Sequence, residues 1–110
     1  MPERILSPRD GAPKDGAPTW ELRLFVAGSD LEVERVQAAL EKVCKEHVPG
    51  RYVIAMVDIL LDPEKADAFD IVAAPTLIRE SPLPVKRIIG DLSQVRKVLL
   101  GLGLPVPQEP

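Results

Sequence analysis

The side chains with the most chemical potential in this chain of 110 residues are a single cysteine, Cys44, and a single histidine, His47. One cysteine excludes a disulfide framework, a CxxC redox pair and a cysteine-rich zinc site, and one histidine excludes a metal site built from several histidines. Cys44 follows Val43 on the apolar face of a predicted helix, where a cysteine is typically a buried small side chain. His47 falls in the last turn of that helix, where a cation interacts favourably with the helix dipole. We therefore expect neither residue to bind a metal or to catalyse a reaction.

A second set of candidate groups is acidic and lies in the middle of the chain. It comprises Asp58, Asp62, Glu64, Asp67 and Asp70. Their spacing matches no metal-binding loop, so we interpret them as a solvated face in which Asp62 caps a short helix. Ser29 has no plausible general base nearby, and with Glu32 it forms an S-x-x-E capping box that indicates a helix start. These patterns predict no catalytic residue, no metal and no cofactor.

Composition and charge narrow the class of protein further. The chain is 45% hydrophobic and 28% charged, with a formal net charge of -3, which is typical of a folded soluble domain. The acidic balance argues against a protein that binds nucleic acid by neutralising phosphates. No stretch reaches the roughly 18 apolar residues of a transmembrane helix, and the N-terminus lacks the apolar region of a secretory signal. We expect a cytoplasmic protein with no membrane or nucleic-acid partner.

The prolines divide the chain into a folded part and two ends. Seven of the twelve prolines lie outside residues 21–104, and the N-terminal segment also contains two glycines. Segments of this composition bury little apolar surface. We predict a flexible arm over residues 1–19, a single domain over residues 20–104 and a flexible tail over residues 105–110.

The hydrophobic periodicity of the predicted domain indicates the element order β-α-β-α-β-β-α. The strands are predicted over residues 21–28, 52–58, 76–80 and 85–89, and the helices over residues 30–47, from Asp62 to about Phe69, and from Asp91 onward. A βαβ unit followed by a hairpin and a packing helix predicts an α/β fold of the thioredoxin-like class with a mixed four-stranded sheet. In that order Pro75 precedes the third strand, where we expect a cis peptide bond, and residues 52–58 form an edge strand.

A redox enzyme with this element order requires a thiolate directly after the first strand, at a helix N-terminus that lowers the thiol pKa. That turn reads Ala27-Gly28-Ser29-Asp30 and contains no cysteine. A redox or glutathione-handling enzyme is therefore nearly excluded, and a binding protein is favoured.

Four segments of the chain resemble the KaiB family of circadian clock proteins. They are LRLFVAG at residues 22–28, VDILLDP at 57–63, AAPTLI at 73–78 and VKRIIGDLSQVRKVLLGLGL at 85–104. The resemblance implies a non-enzymatic regulatory protein, without a cofactor, that binds the hexameric ATPase KaiC. It also implies KaiA or the sensor domain of a histidine kinase as further partners. The alternative is a stress-related or kinase-sensor-like binding module of the same fold that acts outside a clock.

The KaiB family adopts two folds, and the resemblance implies both for this chain. One is a monomeric thioredoxin-like state that binds KaiC, and the other is a tetrameric ground state with a rearranged C-terminal half. We expect the thioredoxin-like monomer, because the local patterns from Asp62 to Leu102 agree with it at every element. The candidate fold-switch positions are Pro75, Pro82, Pro84, Gly90 and Asp91.

The candidate partner-binding residues lie on the predicted edge strand and on charged positions near it. They are Lys45, Arg51, Tyr52, Ile54, Met56, Asp70, Lys86 and Arg87. An exposed strand edge can accept a strand from a partner. The basic cluster of Arg79, Lys86 and Arg87 is either ordinary surface charge on a hairpin or a contact for an acidic partner.

The chain departs from the KaiB family pattern at several places. Asp70 stands where the family has a basic residue, and Pro82-Leu83-Pro84 stands in place of three consecutive prolines. The acidic C-terminal tail of clock members is missing, and the proline-rich N-terminal arm is additional. These departures indicate a divergent paralogue.

Overall fold

One sheet and three helices make up the part of the chain that the computed structural model describes, which is residues 3–6, 19–28, 30–90, 92 and 95–104. The strands are β1 (Glu3–Leu6), β2 (Trp20–Val26), β3 (Tyr52–Asp58), β4 (Thr76–Ser81) and β5 (Lys86–Ile89). The helices are α1 (Leu31–His47), α2 (Pro63–Ala68) and α3 (Val95–Leu102). The strand order across the sheet is β1-β3-β2-β4-β5.

The thioredoxin-like arrangement predicted from the sequence is confirmed for the four strands β2 to β5. The strands β2 and β3 run parallel, whereas β2 pairs antiparallel with β4, and β4 with β5. Parallel neighbours need a long crossover connection, and α1 provides it. The peptide bond before Pro75 is cis, as predicted, and so are the bonds before Pro82 and Pro84.

The N-terminal strand β1 corrects the predicted flexible arm. Residues 3–6 pair antiparallel with β3, with Arg4 opposite Met56 and Leu6 opposite Ile54. The sheet therefore gains a fifth strand, and β3 is no longer its edge. The prediction was wrong here because four residues among prolines and glycines carry almost no local strand signal, whereas the open edge of β3 offers backbone groups that need partners. Residues 1–2 and 7–18 of the predicted arm, and the predicted tail, lie outside the described residues.

The helix starts follow from capping carboxylates. The N-cap of α1 is Asp30, whose Oδ1 accepts a hydrogen bond from the Val33 backbone N–H at 3.0 Å. This corrects the predicted Ser29 cap by one residue, since an aspartate caps as well as a serine. The prediction for Asp62 is confirmed, because its Oδ1 accepts from the Lys65 N–H at 3.1 Å. The start predicted at Asp91 lies outside the described residues.

The central strand β2 carries apolar side chains on both sides, and both faces of the sheet are covered around it. Alternate side chains of a strand point to opposite faces. Leu22, Leu24 and Val26 therefore enter the larger core, while Phe25 enters a smaller core with Val57 and Ile78. The larger core is completed by α1 and α3 through Val36, Leu40, Val43, Cys44, Val98, Leu99 and Leu102. This arrangement holds the ends of β2 and β3, and the loops that follow them, in fixed positions.

Candidate functional site

The only cysteine of the chain lies in the larger core and is unsuited to redox chemistry. Cys44 is buried, as predicted. Burial, with a smaller contribution from the Glu41 carboxylate, raises the pKa of the Cys44 thiol to about 12. The thiol is therefore protonated at neutral pH, and a protonated thiol is a poor nucleophile.

The end of the sheet where β2 finishes carries a small cavity of about 130 Å³. It is lined by Val26, Ala27, Asp30, Glu32, Val33, Val36, Ala74 and Pro75. Two of these residues are carboxylates, and one of them, Asp30, already caps α1. Within the described ranges, no group of three or more His, Cys, Asp or Glu side chains is placed to hold a metal ion. The cavity thus offers apolar contact and negative charge.

Asp58, the first of the acidic residues singled out in the sequence, joins the two loops at this end. Its Oδ1 accepts hydrogen bonds from the backbone N–H groups of Gly28 and Leu60, both at 2.9 Å. Leu60 consequently lies close to Gly28, within 3.6 Å of the place a Cβ would take on that glycine. The carboxylate thus fixes the loop after β3 against the turn after β2.

Four large apolar side chains project from the loop after β3, from the start of α1 and from the segment between α2 and β4. They are Leu31, Leu60, Leu61 and Val72, exposed by 71%, 69%, 70% and 90%. We call these four residues the sheet-end surface. This surface was not among the predicted sites, although Leu60 and Leu61 directly precede the capping Asp62, where apolar side chains have no helix face to join. Val72 lies between α2 and β4, in residues 71–74, whose pattern fits either an extension of α2 or the approach to a strand.

The predicted edge-strand residues take a different role in the structure. The side chains of Tyr52, Ile54 and Met56 are buried in the larger core, so these residues could meet a partner only through the backbone of the strand, and that contact stays a prediction. Strand β1 covers the edge of β3, so the prediction of an open edge was wrong. Lys45 is exposed at the end of α1 and Arg51 is half-buried just before β3. Their contact with a partner stays a prediction.

The predicted basic cluster on the hairpin divides into buried and exposed members. Arg79 is only 7% exposed, and its Nη1 and Nη2 donate to the carbonyl oxygens of Leu102 at 2.6 Å and Pro84 at 2.8 Å. It therefore belongs to the fold rather than to a surface patch. Lys86 and Arg87 are exposed on β5.

Asp70 and Arg87 meet at the turn after α2. Arg87 donates from Nη2 to the carbonyl of Phe69 at 2.9 Å and from Nη1 to that of Asp70 at 3.4 Å. Asp70 has a φ of 55°, in the left-handed region that aspartate tolerates better than most residues. This pair thus fastens the turn to β5, and its contact with a partner stays a prediction.

The candidate fold-switch positions that the structure describes lie just before, within the link of, and just after the β4–β5 hairpin. The Gly90 N–H donates to the carbonyl of Pro75 at 3.3 Å, so two of the predicted residues are in direct contact. Pro82 and Pro84 flank Leu83 in the link between the strands. Asp91 lies outside the described residues.

Comparison with known proteins identifies the family. The KaiB domain family model matches residues 23–104. The chain is 42% identical over 86 residues to the circadian clock oscillator protein KaiB of Synechococcus elongatus, covering 78% of this chain and 84% of that protein. It is 38% identical over 87 residues to the circadian clock protein KaiB3 of a Synechocystis species, covering 79% and 84%. The chain belongs to the KaiB family.

Solved structures place this KaiB-family protein in the thioredoxin-like fold. The N-terminal domain of SasA from Synechococcus elongatus superposes with a TM-score of 0.67 at 14% identity, covering 83% of this chain and 86% of that one. Chloroplastic thioredoxin z superposes with a TM-score of 0.61 at 22% identity, covering 77% and 76%. These likenesses concern the fold alone. None of the helices described for this KaiB-family protein has the length and apolar character needed to cross a membrane.

Proposed function

We propose that this KaiB-family protein is a non-enzymatic regulatory protein that binds a KaiC-type hexameric ATPase through the sheet-end surface. The observation that carries the proposal is that four large exposed apolar side chains belong to segments that meet at one end of the sheet. Exposed apolar patches on a folded domain are typical of protein-binding sites. Membership of the KaiB family supplies the class of partner.

The sheet-end surface has the properties of a preorganised contact. The two hydrogen bonds to Asp58 hold Leu60 in place before a partner arrives, so little conformational entropy is lost on binding. Burying one leucine or valine side chain contributes about 1.5–3 kcal/mol. The nearby carboxylates of Asp30 and Glu32 favour a partner with basic groups around an apolar contact.

Replacing Leu60 and Val72 together by glutamine is expected to weaken binding to the KaiC-type ATPase of the same organism at least tenfold, which corresponds to about 1.4 kcal/mol. The glutamines keep the approximate size but remove apolar contact. Affinity is measured by biolayer interferometry with ATP and with ADP in the buffer. The matched control is Leu100→Gln, because Leu100 is also exposed but stands on α3, whose C-terminal end lies against Arg79 at the opposite end of the sheet.

Two outcomes contradict this proposal. One is the absence of a complex between the unmodified chain and the ATPase with either nucleotide. The other is an equal loss of affinity in the Leu100 control, since that result assigns the effect to general surface hydrophobicity.

The proposal includes a change of fold in the C-terminal half. Strand β5 is only four residues long, and three of its side chains are exposed, those of Lys86, Arg87 and Ile89. Segments that bury few side chains open at low free energy. Two packings of one sequence coexist when they differ by a few kcal/mol, and the exposure of β5 supports a rearrangement in this half of the chain.

Gly90→Ala is expected to shift the equilibrium away from the thioredoxin-like state. Gly90 has a φ of 115°, which an alanine adopts only with strain of about 1–3 kcal/mol. The populations are measured by amide chemical shifts and the oligomeric state by light scattering. Gly50→Ala is the matched control, because Gly50 also has a positive φ of 72° with nothing near its Cβ position, yet lies in the N-terminal half. Equal populations in both variants and in the unmodified chain would contradict a fold switch at Gly90.

A further inference from the structure

The cavity at the end of β2 is apolar inside and has the size of one side chain. Val26 and Val36, which line it, are buried in the larger core, and Val33 and Pro75 are half-buried beside them. Its volume of about 130 Å³ is well below the roughly 300–1,000 Å³ of pockets for drug-sized ligands. It is close to the roughly 150 Å³ of a cavity that holds one benzene molecule. The cavity is therefore suited to a single side chain rather than to a whole metabolite.

The mouth of the cavity carries two carboxylates. Asp30 and Glu32 both line it, and both residues are exposed. Oδ1 of Asp30 accepts a hydrogen bond from the Val33 N–H, but a carboxylate has about four acceptor sites, so Asp30 can bond a further donor while it caps α1. An apolar stem that ends in a cation matches both parts of the cavity, because the stem covers the apolar wall and the charged head stays at the carboxylates.

The charge at this end of the sheet favours a cation. Strands β2 and β3 run parallel, so α1 and α2, which follow them, both begin at the same end. The segment from Asp58 to Asp70 adds five carboxylates and one basic residue, Lys65. A surface with one sign of charge raises the local concentration of the opposite charge. An anion is thus disfavoured here, although a helix N-terminus alone would attract one.

The cavity adjoins the sheet-end surface. Leu31 of that surface stands between Asp30 and Glu32, and Val72 stands two residues before Ala74, which also lines the cavity. A partner that covers the sheet-end surface therefore also reaches the mouth of the cavity. Arginine suits this position better than lysine, because its planar guanidinium has five N–H donors for two carboxylates and is more weakly hydrated than an ammonium. Arginine is also enriched among the residues that dominate binding at protein interfaces.

We propose that this cavity receives the side chain of an arginine from the KaiC-type ATPase, with the alkyl stem against Val33 and Val36 and the guanidinium at Asp30 and Glu32. The identity of the partner rests on the proposed function. The preference of the cavity for a guanidinium is a property of this chain alone, and it is testable without the ATPase.

An amide-shift titration of the isolated chain tests that preference. The probe is acetyl-arginine amide, and the matched control is acetyl-citrulline amide, which has the same length but a neutral urea in place of the guanidinium. We expect acetyl-arginine amide to shift the amides of Val33, Val36 and Ala74 saturably, with a dissociation constant on the order of millimolar. The citrulline compound is expected to bind about tenfold more weakly, because it forms no charge-assisted hydrogen bonds with the carboxylates.

Two variants separate the charge of the cavity from its shape. Asp30→Asn combined with Glu32→Gln removes both charges and keeps the helix cap, because asparagine caps as well as aspartate. Ala74→Leu keeps both carboxylates and fills the cavity, and Ala27→Leu replaces it if that chain misfolds. Each is expected to lose about tenfold in affinity for acetyl-arginine amide and for the ATPase. The control is Glu34→Gln, since Glu34 also lies in the first turn of α1 but does not line the cavity.

Three results would overturn the inference. Equal binding of the arginine and citrulline compounds shows that the carboxylates are not used. Unchanged affinity of both leucine variants for the probe and the ATPase places the effect of the carboxylates outside the cavity. Equal binding of acetyl-lysine amide removes the choice of arginine. A chain that binds the probe but no ATPase contradicts the proposed function and supports the preference of the cavity, whereas a chain that binds the ATPase but not the probe contradicts this inference alone.

Discussion

We expect Arg79→Met to lower the free energy of unfolding by about 3 kcal/mol, because it removes two charge-assisted hydrogen bonds, one of them to the buried Leu102 carbonyl. Arg79 donates to Leu102 at the end of α3 and to Pro84 in the hairpin link. The Leu102 carbonyl is one of the groups that a helix C-terminus leaves without an intrahelical partner. The guanidinium also lies 5.1 Å from the ring centroid of Trp20, which adds a cation–π contact. The loss is measured by urea unfolding.

Arg79→Lys separates the charge from the geometry. Lysine keeps the positive charge near the C-terminal end of the α3 dipole, but an ammonium cannot bond both carbonyls as the planar guanidinium does. We expect this variant to lie between the unmodified chain and Arg79→Met. If the methionine variant is as stable as the unmodified chain, the two hydrogen bonds contribute nothing net, and apolar packing at this position is sufficient.

Phe25→Ala is expected to destabilise the protein by about 4 kcal/mol, the range found when a large buried aromatic side chain is deleted. Phe25 is fully buried in the smaller core between Val57 and Ile78. Its ring also packs against Phe69, with centroids 5.3 Å apart and planes tilted by 50°. Because α2 is short, little else can collapse into the space that the ring leaves. The loss in free energy of unfolding is measured by urea unfolding, with the m-values of the variant and the unmodified chain required to agree.

Phe69→Ala is the control for this prediction. Phe69 is half-buried at the rim of the same core, under the guanidinium of Arg23, which is 4.8 Å from the ring centroid and bonds Glu80 at 3.0 Å. Its truncation is expected to cost less than half as much, because water can fill the exposed side. If Phe25→Ala lowers the free energy of unfolding no more than Phe69→Ala does, the smaller core is not closed to water and the prediction is wrong.

Short-range sequence patterns were sufficient to predict those elements whose position depends only on residues close to them in the chain. The strand predicted over residues 21–28 and the helix predicted over residues 30–47, with Val43 and Cys44 on its apolar face, correspond to β2 and α1 to within two residues. Asp62 predicted a helix start, because a cap acts on amides only two or three residues away. These features need no information from distant parts of the chain.

Features that depend on a distant neighbour could not be predicted in the same way. Arg79 resembles a surface cation until the end of α3 places a carbonyl beside it. Leu60 and Val72 resemble ordinary core residues in the sequence, but the fold leaves both side chains exposed. In each case the deciding group lies more than ten residues away or is solvent, and periodicity within one segment carries no information about either.

The sequence by itself determined the order of strands and helices from β2 onward, the absence of a thiolate after β2, the cis bond before Pro75 and the resemblance to the KaiB family. These properties follow from residue type and short-range spacing. Only the tertiary structure decided that residues 3–6 cover β3, that Arg79 is buried and that the sheet-end surface is exposed. The physical reason is that strand pairing and burial are set by which surfaces meet after folding, and a four-residue strand acquires its stability from the edge that it joins.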